Sequence, residues 1–150
     1  MILHTASEGV TLAKKLETES AQFYEDSAKR YGTCAEAFHA FAKENRRNVD
    51  DIQRTYYGVI TDAIEGGFCF DLNEDNYALE VEVPRGASLA RALTKAVAME
   101  QQIIKFYNDA AEQSRPLMAD LPRVFSLIAR KRASRLLKLR SLADPLASAG

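Results

Sequence analysis

A glutamate seven residues ahead of a tyrosine occurs twice in helix-forming sequence: Glu17 with Tyr24, and Glu100 with Tyr107. Seven residues make two helical turns, so each pair shares one face. Carboxylates placed this way can ligate a metal or anchor a cation. A second pair of segments supplies the cations. Phe125, Ile128, Arg132, Arg135, Leu139 and Leu142 recur at alternating steps of three and four, the seam that a bundle helix turns inward. Phe38, Phe41, Asn45, Asn48 and Ile52 follow the same rhythm with the same interruption. Two arginines and two asparagines therefore face a core. Buried charges need partners, and Glu17 and Glu100 are the expected ones.

These segments are halves of a repeat. Leu16 to Tyr24 matches Met99 to Tyr107, both ending in Phe-Tyr, and Phe38-x-x-Phe41-Ala42 matches Phe125-x-x-Ile128-Ala129. The chain thus reads as two helical hairpins in pseudo-symmetry. Thr5-x-x-Glu8 and Thr33-x-x-Glu36 predict capping boxes, while Gly32 and Gly66-Gly67 predict stops. The spacing gives helices over about 6 to 31, 34 to 65, Ser88 to Ser114, and Pro116 or Pro122 to Leu142. Pro122 could kink the last helix near its start. Residues 143 to 150 are expected to form a flexible tail beyond a single domain spanning 1 to 150.

Over roughly residues 7 to 142 this pattern resembles the rubrerythrin-like branch of the ferritin-like proteins. The resemblance implies an all-α, ferritin-like four-helix bundle of two hairpins joined by a long crossover. In that family two helices each give a Glu seven residues before a Tyr, the other two each give Glu-x-x-His, and together they hold a di-iron centre. Glu17 and Glu100 stand at the lone-glutamate positions. Asn45 and Asn48 occupy one Glu-x-x-His position, and Arg132 and Arg135 the other.

That replacement inverts the electrostatics. Arginine stays protonated and offers a metal no lone pair. A divalent ion about 4 Å from a guanidinium would be repelled by roughly 8 kcal/mol at an effective dielectric of 20. The expectation is a core without a dinuclear metal and without another cofactor. In its place Glu17 and Glu100 balance Arg132 and Arg135, with Asn45, Asn48, Tyr24 and Tyr107 as neutral partners. The plain alternative is that the arginines snorkel out and the glutamates are solvated.

With 150 residues, 47% hydrophobic and 27% charged at a net charge of -1, the composition suits one modest core and excludes a general attraction to nucleic acid or membrane. Cys34 and Cys69 are too few for a disulfide framework and form no Cys-x-x-Cys. There is no apolar run of membrane-spanning length and no secretory-type N-terminus, so a cytoplasmic location is expected. His4 and His39 lack ligating neighbours at a useful spacing. Arg123, Arg130, Lys131, Lys138 and Arg140 make the last helix basic, which reads as a solvated face favoured by the helix dipole.

The crossover, about Gly67 to Ala87, differs from the rest. Leu79, Val81 and Val83 alternate with Glu80 and Glu82, a strand pattern for which Phe68 to Leu72 is the expected hairpin partner. Asp71, Asn73, Asp75, Tyr77, Leu79 and Glu82 also fall on calcium-loop positions, although Asn76 replaces the usual Gly. An acidic turn is the simpler reading.

Three functions compete. The first is a rubrerythrin-like bundle without metal chemistry, acting as a homodimeric interaction or structural module. The second is a peroxide- or iron-handling oxidoreductase with an altered iron-ligand set of Glu17, Glu100 and Glu44. The third is an anion or small-molecule binder at Arg132 and Arg135.

Overall fold

A computed structural model describes residues 1–59, 68–116 and 120–149. The described residues hold a short strand β1 (Ile2–Thr5), helices α1 (Ala6–Arg30) and α2 (Ala35–Val59), a strand β2 (Phe68–Asn73), and helices α3 (Leu89–Ser114) and α4 (Asp120–Ala149). Helix α1 packs on α2 and α3 on α4, while α2 against α4 and α1 against α3 close the bundle. The expected stop at Gly66-Gly67 and the end of the second helix lie outside the described residues.

Local chemistry sets the helix starts. Thr5 caps α1 through a complete capping box: its hydroxyl accepts from the Glu8 amide at 3.1 Å, and the Glu8 carboxylate accepts from the Thr5 amide at 3.0 Å. Ser88 caps α3, its hydroxyl accepting from the Arg91 amide at 3.2 Å. The box expected at Thr33 does not form. Gly32–Cys34 instead make one turn of 3-10 helix that leads straight into α2, so Thr33 lies inside a turn, where it cannot cap. Pro122 falls in the first turn of α4, where a missing N–H costs nothing.

The expected tail is different as well. Helix α4 continues through Pro145 to Ala149, and Ala143 and Leu146 pack against the core. Pro145 deprives Ser141 of its helical partner, and the apolar contacts on either side of it offset that loss.

The crossover is where expectation and structure part most clearly. β2 pairs antiparallel with β1, placing Leu3 opposite Leu72 and Ile2 opposite Asn73. It does not pair with residues 79 to 83. The alternation there is real in burial, with Leu79, Val81 and Val83 packed on the core and Glu80 and Glu82 exposed. Side chains, not a strand, bond the carbonyls at the end of this segment and in the turn after it. Arg30 donates to the Val83 and Pro84 carbonyls at 2.9 and 2.6 Å, Lys95 donates to the Glu82 carbonyl, and the Tyr31 hydroxyl donates to the Ala87 carbonyl at 2.7 Å. Gly86, at φ +80°, supplies the left-handed step that turns the chain towards α3.

Strand β2 lies so close to α1 that only a glycine fits between them. A Cβ at Gly9 would meet the Phe70 ring, with Cδ2 at 2.9 Å. Gly9→Ala is expected to lower the unfolding free energy by about 1–3 kcal/mol in urea titration, despite alanine's better helix propensity. A gain in stability would show that Phe70 can swing aside freely.

Candidate functional site

The four interrupted seam positions meet at the centre of the bundle. Glu17 from α1, Asn45 and Asn48 from α2, Glu100 from α3, and Arg132 and Arg135 from α4 are all buried. Each is brought there by heptad spacing on its own helix. Tyr24 and Tyr107, two turns beyond the glutamates, are buried as well.

Arg132 is the hub. Its Nη1 donates to both Glu100 oxygens at 2.8 and 2.7 Å, its Nε donates to Glu17 Oε2 at 3.1 Å, and its Nη2 donates to that same Glu17 oxygen. One guanidinium thus bridges the carboxylates of both hairpins, as its rigid fork allows and a lysine would not. Arg135 extends the network outward. Its Nη1 donates to Asn45 Oδ1 at 2.7 Å and Glu100 Oε1 at 3.1 Å, and its Nη2 donates to Glu44 Oε1 at 2.7 Å and the Phe41 carbonyl at 3.3 Å. Its guanidinium lies over the Phe41 and Tyr24 rings, 4.9 and 5.4 Å from their centroids. Asn48 donates to Glu17 Oε1 at 2.6 Å, and Asn45 donates to Ser20 Oγ at 2.8 Å.

The charges decide the ionisation states. Burial alone would raise the Glu100 carboxyl, but Arg132 and then Arg135 hold it below the usual carboxylate range. Burial opposes the charge on Arg132, and Glu100 and Glu17 more than restore it, raising its pKa above the ordinary value. The tyrosines stay protonated. Burial, then the Glu100 charge, pushes Tyr24 well up; burial, then the Glu17 charge, does the same to Tyr107.

Pseudo-symmetry loosens at the hydroxyls. Tyr24 donates to Glu100 Oε1 at 2.6 Å, whereas the Tyr107 hydroxyl faces Glu17 without a hydrogen bond of ordinary geometry, and Asn48 Oδ1 and Arg135 Nε have no partner among the described residues. Tyr24→Phe is therefore expected to cost about 1.5–3 kcal/mol, and Tyr107→Phe clearly less, because the Tyr107 hydroxyl is the more weakly bonded of the two. Thermal denaturation of the two variants side by side checks this; equal losses would show that both hydroxyls are bonded.

A dinuclear metal does not fit this donor set. Both carboxylates already accept from a permanent cation, and neither asparagine nor arginine replaces the missing carboxylate and imidazole donors. The altered set fits no better, since Glu44 pairs with Arg135 and its side chain is 38% exposed at the edge of the network. Arg132 spends its Nε and both Nη groups on Glu17, Glu100, Ser20 and Asn45, which leaves an incoming anion to compete with the protein's own acceptors.

Sequence reading missed Ser20 and the role of Glu44. Ser20 lies between Glu17 and Tyr24 on the same face, but its repeat counterpart is Ile103, so the repeat did not mark it. Glu44 lies next to the seam and reaches Arg135 from the side.

The calcium-like residues are not gathered at one point. Asp71 and Asn73 lie in β2, the Asn73 side chain accepts from the Asp75 amide at 3.0 Å, and the Tyr77 hydroxyl donates to Asp109 at 2.7 Å. Glu82 and Leu79 follow in the extended segment, whose Glu82 carbonyl accepts from Lys95. Among the described residues no three His, Cys, Asp or Glu side chains converge as metal ligands would, and no helix is long and apolar enough to cross a membrane. A groove of about 750 Å³ lies between the end of α1 and the crossover, yet its Arg30 and Lys95 are occupied by backbone carbonyls. Cys34 is buried, and burial pushes the Cys69 thiol up to about 11, away from reactive thiolate chemistry.

Comparison of the chain with protein-family models, with curated proteins and with solved structures finds no match in any of the three.

Proposed function

We propose that this protein is a ferritin-like, rubrerythrin-related bundle whose metal site has been replaced by an ion-pair network, and that it acts without metal chemistry as an interaction or structural module. One observation carries the reading: Arg132 occupies the midpoint between Glu17 and Glu100 and donates to both. A cation supplied by the chain stands where bound cations would otherwise be needed. The four principal charges cancel, and Glu44 adds a fifth at the solvent edge. Nothing in this arrangement provides an open coordination position or a reactive thiolate, and the tyrosines are held protonated. Its evident effect is to fix the four helices in one register.

Self-association through helix faces remains part of this proposal, as does a location in the cytoplasm. The decisive experiment is elemental analysis of protein purified without chelator, before and after aerobic incubation with ferrous iron. Well below one equivalent per chain is expected. About two equivalents of iron or manganese, the load of a dinuclear carboxylate bundle, would return the protein to the oxidoreductases.

A further inference from the structure

The outward face of α4 takes no part in the bundle, and its sequence is ordered. Arg123, Leu127, Arg130, Ser134, Leu137 and Ser141 recur at alternating steps of four and three, a second heptad seam on the side opposite the one that carries Arg132 and Arg135. Leu127 is 45% exposed and Leu137 67% exposed, and the seam's polar members are exposed with them. Lys131 and Lys138 flank the seam seven residues apart, where a coiled coil places its inter-helix ion pairs. No carboxylate occurs between Asp120 and Asp144. Among the described residues none of Arg123, Arg130, Lys131 and Lys138 makes an ion pair, although Lys15, Arg46 and Arg54 elsewhere on the surface do. Acids three or four residues from the bases would stabilise a solvated helix face, and like charges at that spacing repel. This face has no such acids.

We infer that this face seats an acidic amphipathic helix of another protein, with Leu127 and Leu137 packing into its apolar seam and the cations pairing with its carboxylates. The inference deepens the interaction reading above and rests on it. Other occupants fit less well. A second copy docked α4 to α4 would set cations against cations. The other helices of this chain offer no all-acidic face, since Lys15 is exposed on α1, Arg46 and Arg47 on α2, and Arg91 and Lys105 on α3. For a membrane surface, the broad apolar side of α4 is already committed to the core, which leaves two leucines to insert. For a nucleic acid, there is no aromatic platform on this face and the leucines would stay uncovered.

The test uses the full chain and a labelled synthetic peptide of about four heptads, with leucine at its seam positions and glutamate flanking them. Controls are the same peptide with lysine for glutamate, phosphatidylserine vesicles and a DNA duplex. The acidic peptide is expected to bind in the micromolar range and more weakly as salt rises, with the controls far weaker. Charge reversal by R130E with K138E is expected to cost roughly tenfold or more in affinity. L127S with L137S is expected to cost a similar factor while leaving the salt dependence unchanged, which a purely electrostatic patch would not show. The substituted positions are exposed, and a melting curve confirms that each variant is folded; either double variant alone decides the matter. No binding, equal or tighter binding of vesicles or DNA, indifference to the leucine substitutions, or a homodimer abolished by them would each overturn the inference. Failure here with no iron uptake removes the partner class and leaves the metal-free reading standing, whereas iron uptake sinks that reading whatever the peptide does.

Discussion

Arg132→Met is expected to lower the unfolding free energy at neutral pH by about 3–5 kcal/mol, a large share of the roughly 5–15 kcal/mol that holds a domain of this size together. Methionine fills much of the vacated volume, so the loss is electrostatic. It strands Glu17 and Glu100, both fully buried, with only Asn48, Tyr24 and Arg135 to oppose their charge. The pH dependence gives the diagnostic. In the native protein the Glu100 carboxyl is held below its usual value. Its contribution is therefore present above the unfolded pKa of about 4.3 and is lost as pH falls through the lower folded value. In the variant the buried Glu100 carboxylate loses its main cation, burial prevails, and its folded pKa rises above the unfolded one. Its protonated form then favours folding below about pH 4.3, and that benefit disappears as pH rises through the raised folded value. As far as Glu100 sets them, urea midpoints should therefore drop for the native protein only as pH falls below about 4.3 and stay level from there to about pH 8, whereas those of the variant should fall as pH rises above about 4.3. Parallel curves would show that water reaches the glutamates.

Leu3→Ala is the second large effect, at about 2–5 kcal/mol. Leu3 is buried on a strand of four residues and faces the equally buried Leu72. Its side chain seals the end of the core between α1 and the crossover. The Met1 carbonyl also accepts from the Glu74 amide at 2.9 Å, so loosening β1 releases the turn that follows β2. Faster proteolysis at exposed Arg85 should accompany the fall in stability. A loss below about 1 kcal/mol would mean that the strand lies on the surface without closing the core.

The buried network was readable because its members follow helical periodicity and the chain repeats it. Spacing alone put Glu17, Glu100, Asn45, Asn48, Arg132 and Arg135 on inward faces, and charge balance paired them. Strand β1 was not readable: four residues are too few for period-two alternation to stand out, and its partner lies more than sixty residues away. The segment from Leu79 to Val83 shows the opposite failure. Its alternation reports true burial, but periodicity cannot tell whether a neighbouring strand will pair with it or whether, as here, side chains such as Arg30 and Lys95 take the carbonyls at its end. Pro145 is a helix terminator by local rule, yet the helix runs through it and Leu146 beyond it packs against the core. The seam of exposed leucines on α4 was visible only once the bundle had chosen which face to bury.

The bridging guanidinium also changes what the folded state depends on. A bound ion stabilises a protein by mass action, so the folded fraction rises and falls with the ion's free concentration. Arg132 is part of the chain, and its effective concentration at Glu17 and Glu100 is set by α4 alone. The core is complete as soon as the helices close. On the metal-free reading proposed above, chelation, metal scarcity and a change in the oxidation state of iron are all expected to leave the amount of folded protein unchanged.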